Sequence, residues 1–304
     1  MAGEKWDMPA AYSAKNFVSQ KYIKFAEIVT KKSDGKLEII VHAGGSLYKG
    51  SEIMRAVRSG QVPIGANYLG SHSNENPIYG VDLVPFLATS FGDAWKLYQV
   101  SKPELEKVLD HQNLKLLFTA PWPPQGLFSK KEINRIGDMK GVRFRAADTT
   151  TTRLAELMGA IPTKTEATEI SQAFSTGVAE SMIASGAIGV FEKIWDYVNY
   201  YYTVNAWIPK SGVIVNKDAW KKLDDNLKKI ILDASVEIEK EVWQAAEDIT
   251  LEYNKTMVEN GMKVIEPKPE LMEGFREIGA VIAKDWAEKA GATGAEIIKT
   301  YKAS

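Results

Sequence analysis

From Lys217 to Asn260 the chain contains neither Gly nor Pro. Apolar residues recur through this run at Trp220, Leu223, Leu227, Ile230, Ile231, Ala234, Ile238, Val242, Ala245 and Ile249, the spacing of one face of an amphipathic helix. The spacing predicts a single helix over 217–260, roughly 60 Å long at 1.5 Å per residue. Gly261 ends it. Such a rod is longer than one small domain and is able to span two. With 304 residues, 45% of them hydrophobic, the chain has enough apolar surface for two cores of ordinary size.

Around this run, strands and helices alternate. Ser13 to Lys32 reads as a helix capped by Ser13 and stopped by Asp34-Gly35. Lys36 to Val41 reads as a strand, 51–59 as a helix and 64–69 as a strand, followed by a polar loop from Gly70 to Pro77. Asp93 to Leu109 is a helix that Pro103 divides, and Leu114 to Thr119 a buried strand. Thr163 to Gly177 reads as a helix, 178–183 and 212–216 as strands, 197–207 as an aromatic strand region, and Phe275 to Lys289 as a helix with a short tail helix beyond Gly291. The alternation predicts an α/β architecture with largely parallel sheets. A three-proline segment at 121–124 and a second crossing at Trp207-Ile208-Pro209 divide the chain into two interleaved domains. Residues 1–123 plus 211–250 form domain I, and 124–210 plus 251–304 form domain II.

Several functions are excluded on composition. A net charge of −1 provides no field for nucleic acid or anionic membrane, and no run of 18 apolar residues spans a bilayer. The absence of Cys removes disulfides, thiolate metal sites and cysteine nucleophiles. Three scattered His argue against a His-based metal site or a Ser-His-Asp triad. The Gly44-Gly45 loop lacks the Lys-Ser or Lys-Thr of a phosphate loop. Asp148, Glu180 and Glu192 are carboxylates without partners at a spacing that specifies acid–base chemistry, so capping or surface charge is expected of them. The start Met1-Ala2-Gly3-Glu4-Lys5-Trp6 carries no apolar leader, as in a cytoplasmic chain or a mature exported one.

One stretch bears on ligand chemistry. In Gly137-Asp138-Met139-Lys140-Gly141-Val142-Arg143-Phe144-Arg145-Ala146-Ala147-Asp148, a turn feeds a short run of period two. Val142 and Phe144 share one face, Arg143 and Arg145 the other. An arginine on a strand end offers a planar fork of donors that matches a carboxylate. Two solvated edge charges are the other reading of the same pattern.

The sequence resembles the periplasmic substrate-binding proteins of TRAP (tripartite ATP-independent periplasmic) transporters. The pieces that carry the resemblance keep their order along nearly the whole chain. They are the early helix with Gly35-Lys36-Leu37-Glu38-Ile39, Leu47 with Glu52-Ile53-Met54-Arg55-Ala56-Val57, and Gly60-Gln61-Val62. Next in order come Pro85-Phe86-Leu87, Ile136-Gly137-Asp138-Met139-Lys140-Gly141 with its strand through Arg145, Ala160-Ile161-Pro162-Thr163 and the long helix after Asn216.

The resemblance implies a two-domain periplasmic-binding-protein clamshell with hinge strands and a long domain-spanning helix. It implies export, no catalysis and no ATP, in a chain whose signal peptide is gone and which hands a small organic acid to membrane permease subunits. No cofactor is expected, and the chain is expected to be a monomer; some relatives bridge the carboxylate through a metal, but no ligand cluster for one is visible in the sequence. The carboxylate-holding arginine of the family falls on Arg145. A further arginine of sialic-acid-binding members falls on Gln125, and their ligand-binding Asn falls at Ala184 or Ser185. Both changes remove charge or hydrogen-bonding capacity, so the expected ligand is a bulky or aromatic monocarboxylate; a C4-dicarboxylate, a sugar acid or a ligand-sensing role is the alternative. Trp122, Phe144, Tyr68 and Trp207 are expected beside the cleft as aromatic walls, although core or hinge packing accounts equally for Trp207. Ser71, His72 and Asn74 are candidates from the first domain, with His72 also readable as a surface loop residue.

Overall fold

The computed structural model describes residues 4–304. Its strands, in chain order, are β1 (Glu4–Pro9), β2 (Leu37–His42), β3 (Ile64–Tyr68), β4 (Leu114–Pro121), β5 (Gln125–Ser129), β6 (Arg143–Ala146), β7 (Ile161–Lys164), β8 (Ser181–Ser185), β9 (Tyr200–Tyr202), β10 (Lys210–Asn216) and β11 (Lys263–Ile265). The helices are α1 (Phe17–Lys32), α2 (Gly50–Arg58), α3 (Phe91–His111), α4 (Thr149–Leu157), α5 (Ile170–Ser175), α6 (Gly186–Phe191), α7 (Lys217–Lys222), α8 (Asp225–Glu259) and α9 (Pro269–Ala303). The chain folds into two compact units. The first takes the chain up to Leu69, then Leu105–Pro121 and Lys210–Ala245; the second takes Gly70–Glu104, Trp122–Pro209 and Ala246–Ser304. Residues 70–104 thus pack with the second unit, whereas the sequence reading groups them with the residues before 124.

In the first unit, β10 runs antiparallel between β3 and β4. β1 runs parallel to β2, pairing Trp6 with Ile39 and Met8 with Val41, and a bridge from Ala10 to Ala66 links this pair to β3. Buried Trp6 and Met8 alternate with exposed Lys5 and Asp7, a short period of two that the sequence reading passes over. Helix α1 begins at Asn16, whose side chain accepts the Val18 N–H at 3.1 Å; Ser13 contributes only its carbonyl, to Asn16. Tyr22 and Phe25 of α1 lie against Phe118 of β4, ring centres 6.3 and 5.1 Å apart. Helix α8 is tied to the same strand: Glu239 accepts the Thr119 N–H at 2.8 Å and its hydroxyl at 2.9 Å, and the Trp243 indole donates to that hydroxyl at 3.2 Å.

The second unit is built on a six-stranded sheet in the order β11-β9-β5-β8-β6-β7. β7, β6 and β8 are parallel, β5 is antiparallel to both β8 and β9, and β11 is parallel to β9. The sheets are therefore mixed rather than largely parallel. The antiparallel members are the strands that follow the two helix-free crossings, 122–124 and 203–209: each crossing carries the chain from one sheet to another, and β5 and β10 enter their sheets running antiparallel to both neighbours.

Three helical expectations are corrected. The run from Lys217 breaks because Leu223 adopts an extended ψ of 145° and the Asp224 carboxylate caps Leu227 N–H at 2.7 Å. Beyond the break, α8 still has 35 residues, about 52 Å at 1.5 Å per residue, and its sequence straddles the boundary between units at 245/246. Pro103 sits inside α3 without dividing it. The helix expected over 163–177 is reduced to α5, preceded by β7, which pairs with β6. The tail of α9 turns at Gly291, whose φ of 54° marks a kink.

At Gly126 of β5 the second core closes tightly on the backbone. A Cβ there would lie 2.5 Å from the Tyr201 ring, which itself packs 4.4 Å from Phe128. Gly126→Ala should therefore destabilise the fold by about 1–3 kcal/mol through overpacking, read as a lowered midpoint in urea denaturation; an unchanged midpoint would refute the tightness of this contact.

Candidate functional site

Arg145 stands near the C-terminal end of β6 and is 7% exposed. Strand alternation sends Phe144 to the opposite face, where it is fully buried core. The guanidinium donates from Nε at 3.1 Å and from Nη2 at 2.9 Å to the carbonyl of Thr165. Thr165 is itself fixed by its N–H, which donates to the Ala146 carbonyl at 3.1 Å. The strand that carries Arg145 thus also positions the carbonyl that holds it. Arg143, two residues earlier, is exposed and paired with Glu180 at 2.9 Å.

Three neighbouring strands end at the same rim of the sheet. β8 finishes there with Ser185, and antiparallel β5 begins there with Gln125, its register partner. Gln125 donates from Nε2 to the Pro123 carbonyl at 2.8 Å. Its backbone N–H reaches the Trp207 carbonyl at 3.0 Å, and its carbonyl accepts from Ala206 at 3.0 Å. Ser185 is 1% exposed, and its hydroxyl has no hydrogen-bond partner among the described residues. A buried hydroxyl left in this way is uncommon and points to a partner from outside the chain. The register puts Ser185 on the face of Gln125, and Ala184 on the face of Arg145.

Trp122 and Trp207 are buried, the former donating its backbone N–H to Pro209 at 2.8 Å. Ser71 and His72 lie in a 3₁₀ turn, Leu69–His72. His72 is buried, with Nδ1 2.8 Å from Glu75 and its ring edge-on to Tyr79. Asn74 is exposed. Ser73, in the same loop, meets Thr149 at the start of α4, hydroxyl to hydroxyl at 2.7 Å. Tyr68 ends β3 opposite Ser211, in the first unit.

Of the three carboxylates, Asp148 caps α4 by accepting the Thr151 N–H and hydroxyl at 2.8 and 2.9 Å, and Glu180 holds Arg143. Glu192 is half-buried and accepts the Ser171 hydroxyl at 2.9 Å. Burial pushes its pKa above the ordinary glutamate value, against the opposing pull of Ser171 and of the Arg145 charge. Thr165 and Ser171 escaped the sequence reading, Thr165 because a backbone carbonyl leaves no side-chain signature. Among the described residues, no group of three or more His, Cys, Asp or Glu is placed to hold a metal, and no helix is long and apolar enough to cross a membrane.

Comparison with known proteins agrees with this architecture. Residues 10–289 match the DctP family, the bacterial extracellular solute-binding proteins of family 7. The chain is 40% identical to a marine metagenome TRAP solute-binding protein specific for pyroglutamate, crystallised with the co-purified compound; all of both chains is covered, with a TM-score of 0.99. It is also 40% identical to an extracytoplasmic solute receptor of Bordetella pertussis binding pyroglutamic acid, covering 99% of this chain and 100% of that one, with a TM-score of 0.97. A monocarboxylate 2-oxoacid-binding periplasmic protein of Nostoc is 23% identical over 303 residues, 94% of this chain and 80% of the relative.

The protein belongs to the DctP family: it is an extracytoplasmic solute-binding protein of the TRAP type, with the family's α/β fold. Its role is in solute transport.

The raised pKa of Glu192 has a consequence for stability. The native chain holds more protons at this group than the unfolded chain does, so its contribution falls as pH rises from the ordinary glutamate range through the raised value. Glu192→Gln should therefore melt higher than the parent at neutral pH, with the gap closing as pH falls toward 4. Thermal scans across that range check it, and a gap independent of pH would contradict it.

Proposed function

We propose that this protein captures pyroglutamate and delivers it to the membrane subunits of a TRAP transporter. The observation that carries the reading is Arg145: a buried guanidinium with its Nε side held by Thr165. The ligand carboxylate would approach its far end, along Nη1 and Nη2, where two parallel charge-assisted bonds form. The 40% identity to receptors that bind pyroglutamate adds the ligand.

Pyroglutamate suits the rest of the rim. Beyond its carboxylate it has one lactam N–H and one carbonyl. Ser185 both donates and accepts through one hydroxyl and has no partner among the described residues. Gln125 is neutral where the sialic-acid-binding members carry an arginine, which fits a ligand with one charge. The aromatic or bulky body expected from the tryptophans finds no support in these relatives. The small flat lactam takes its place, with Trp122 and Trp207 as candidate walls and Ser71, His72 and Asn74, all in the same unit as Arg145, as candidate contacts. In this reading the protein works as an exported monomer, and ligand shifts its two domains toward a closed form.

Titration of refolded protein by calorimetry and Trp fluorescence tests this against pyroglutamate, 2-oxoacids, succinate, sialic acid and indole acetate. Pyroglutamate should bind most tightly. Arg145→Ala should lose about 2–5 kcal/mol of binding, roughly 30-fold or more, and Arg145→Lys should not restore it, lacking the fork. Ser185→Ala should cost about tenfold, the weight of one hydrogen bond. Full affinity in Arg145→Ala would sink the site; preference for another panel acid would sink the ligand.

A further inference from the structure

Arg145 and Glu192 are both tethered to one short segment of chain. The Thr165 carbonyl holds the guanidinium, and the Ser171 hydroxyl holds the carboxylate. The stretch from 165 to 171 joins the end of β7 to the first turn of α5. Glu192 follows α6 directly, and α6 lies on the face of the sheet that carries Arg145. Gly189 of α6 sits so close to Phe128 that a Cβ would fall 2.7 Å from the ring, and Phe128 and Arg145 both pair with Met182, which puts all three on one face. The two charges are thereby held within electrostatic reach, and the positive charge of Arg145 acts on the Glu192 carboxylate.

Other charges lie near this segment. Asp148, buried three residues beyond Arg145, caps α4 through Thr151, and Glu166 is part-buried within the segment. Glu169 accepts the Glu166 N–H at 3.2 Å, Lys164 and Lys193 are exposed, and Arg143 is paired with Glu180. Glu192 is thus a half-buried anion placed near the cation that would receive the ligand. A single ligand carboxylate that reaches Arg145 directly has a full counter-charge. A second carboxylate on the same ligand would meet the negative charge of Glu192.

Resting on the reading of Arg145 as the carboxylate site, we propose that Glu192 is a specificity-determining residue, which admits monocarboxylates and repels dicarboxylates. A fixed like charge discriminates by repulsion, and partial burial keeps that repulsion from being screened. The comparison that isolates the effect is pyroglutamate against glutarate, two five-carbon acids that differ in having one charge or two.

The experiment measures dissociation constants of both acids at pH 7.5 for the parent, Glu192→Gln and Glu192→Asp, with Glu192→Ser as a second neutral variant should the Gln form fold poorly. In the neutral variants the preference for pyroglutamate over glutarate should narrow by roughly tenfold, chiefly through tighter glutarate binding, and Glu192→Asp should keep the parental preference. The same ratio is read for the best-bound monocarboxylate of the panel against its dicarboxylate counterpart, so that failure of pyroglutamate itself to bind defeats the ligand assignment alone. A preference unmoved in both neutral variants overturns the role of Glu192 and leaves the ligand assignment standing.

Discussion

A guanidinium taken out of water must be met by acceptors, and the second unit is arranged around meeting that demand for Arg145. The acceptor is a backbone carbonyl, at Thr165, and the amide of the same residue returns to Ala146 on the strand that bears the arginine. Side chain, strand and neighbouring chain exit therefore form one closed set of hydrogen bonds. This gives the guanidinium a fixed direction. Arg143 lies on the same strand, two residues away, but its partner is the carboxylate of Glu180 and its head is in solvent. The two arginines have one chemistry and two uses, decided by what the adjoining loop offers each.

Much of the fold was legible because its signals are local. The apolar face of α1, the left-handed glycine after α8 and the turn at Gly291 all leave marks in the sequence. The period of two at Arg143–Ala146 marks both arginines alike, and only the family resemblance singles out Arg145. The features that were not legible are mostly tertiary. Leu223-Asp224 lies in a run without Gly or Pro, and only the capping geometry of Asp224 reveals that the helix restarts there. β7 is four residues long, begins Ile-Pro and is recognised as a strand only by its pairing with β6. Phe144 was grouped with the site by its neighbour Arg145, but alternation turns it into the core.

The rim residues show a similar division. Gln125 and Ser185 are 60 positions apart in sequence and become partners only through strand pairing. Each alone is an unremarkable polar residue. Brought together, with the Ser185 hydroxyl finding no partner among the described residues, they form the rim proposed to meet the ligand. The chemistry of such a site is set less by which side chains are present than by which of their hydrogen-bonding groups the fold leaves unanswered.

The bond between Glu239 and Thr119 has a meaning for the life of the chain outside its folded, working state. β4 is the outer strand of its sheet, and its sequence Leu-Lys-Leu-Leu-Phe-Thr is the apolar, β-forming kind that recruits foreign strands when its outer side is open. Near the end of this strand, a carboxylate from α8 takes a main-chain N–H that an invading strand would need. The long helix is thus also a guard against aggregation. A lesion in α8 that withdrew Glu239 would first show itself as stickiness in a sheet 120 residues earlier in the chain.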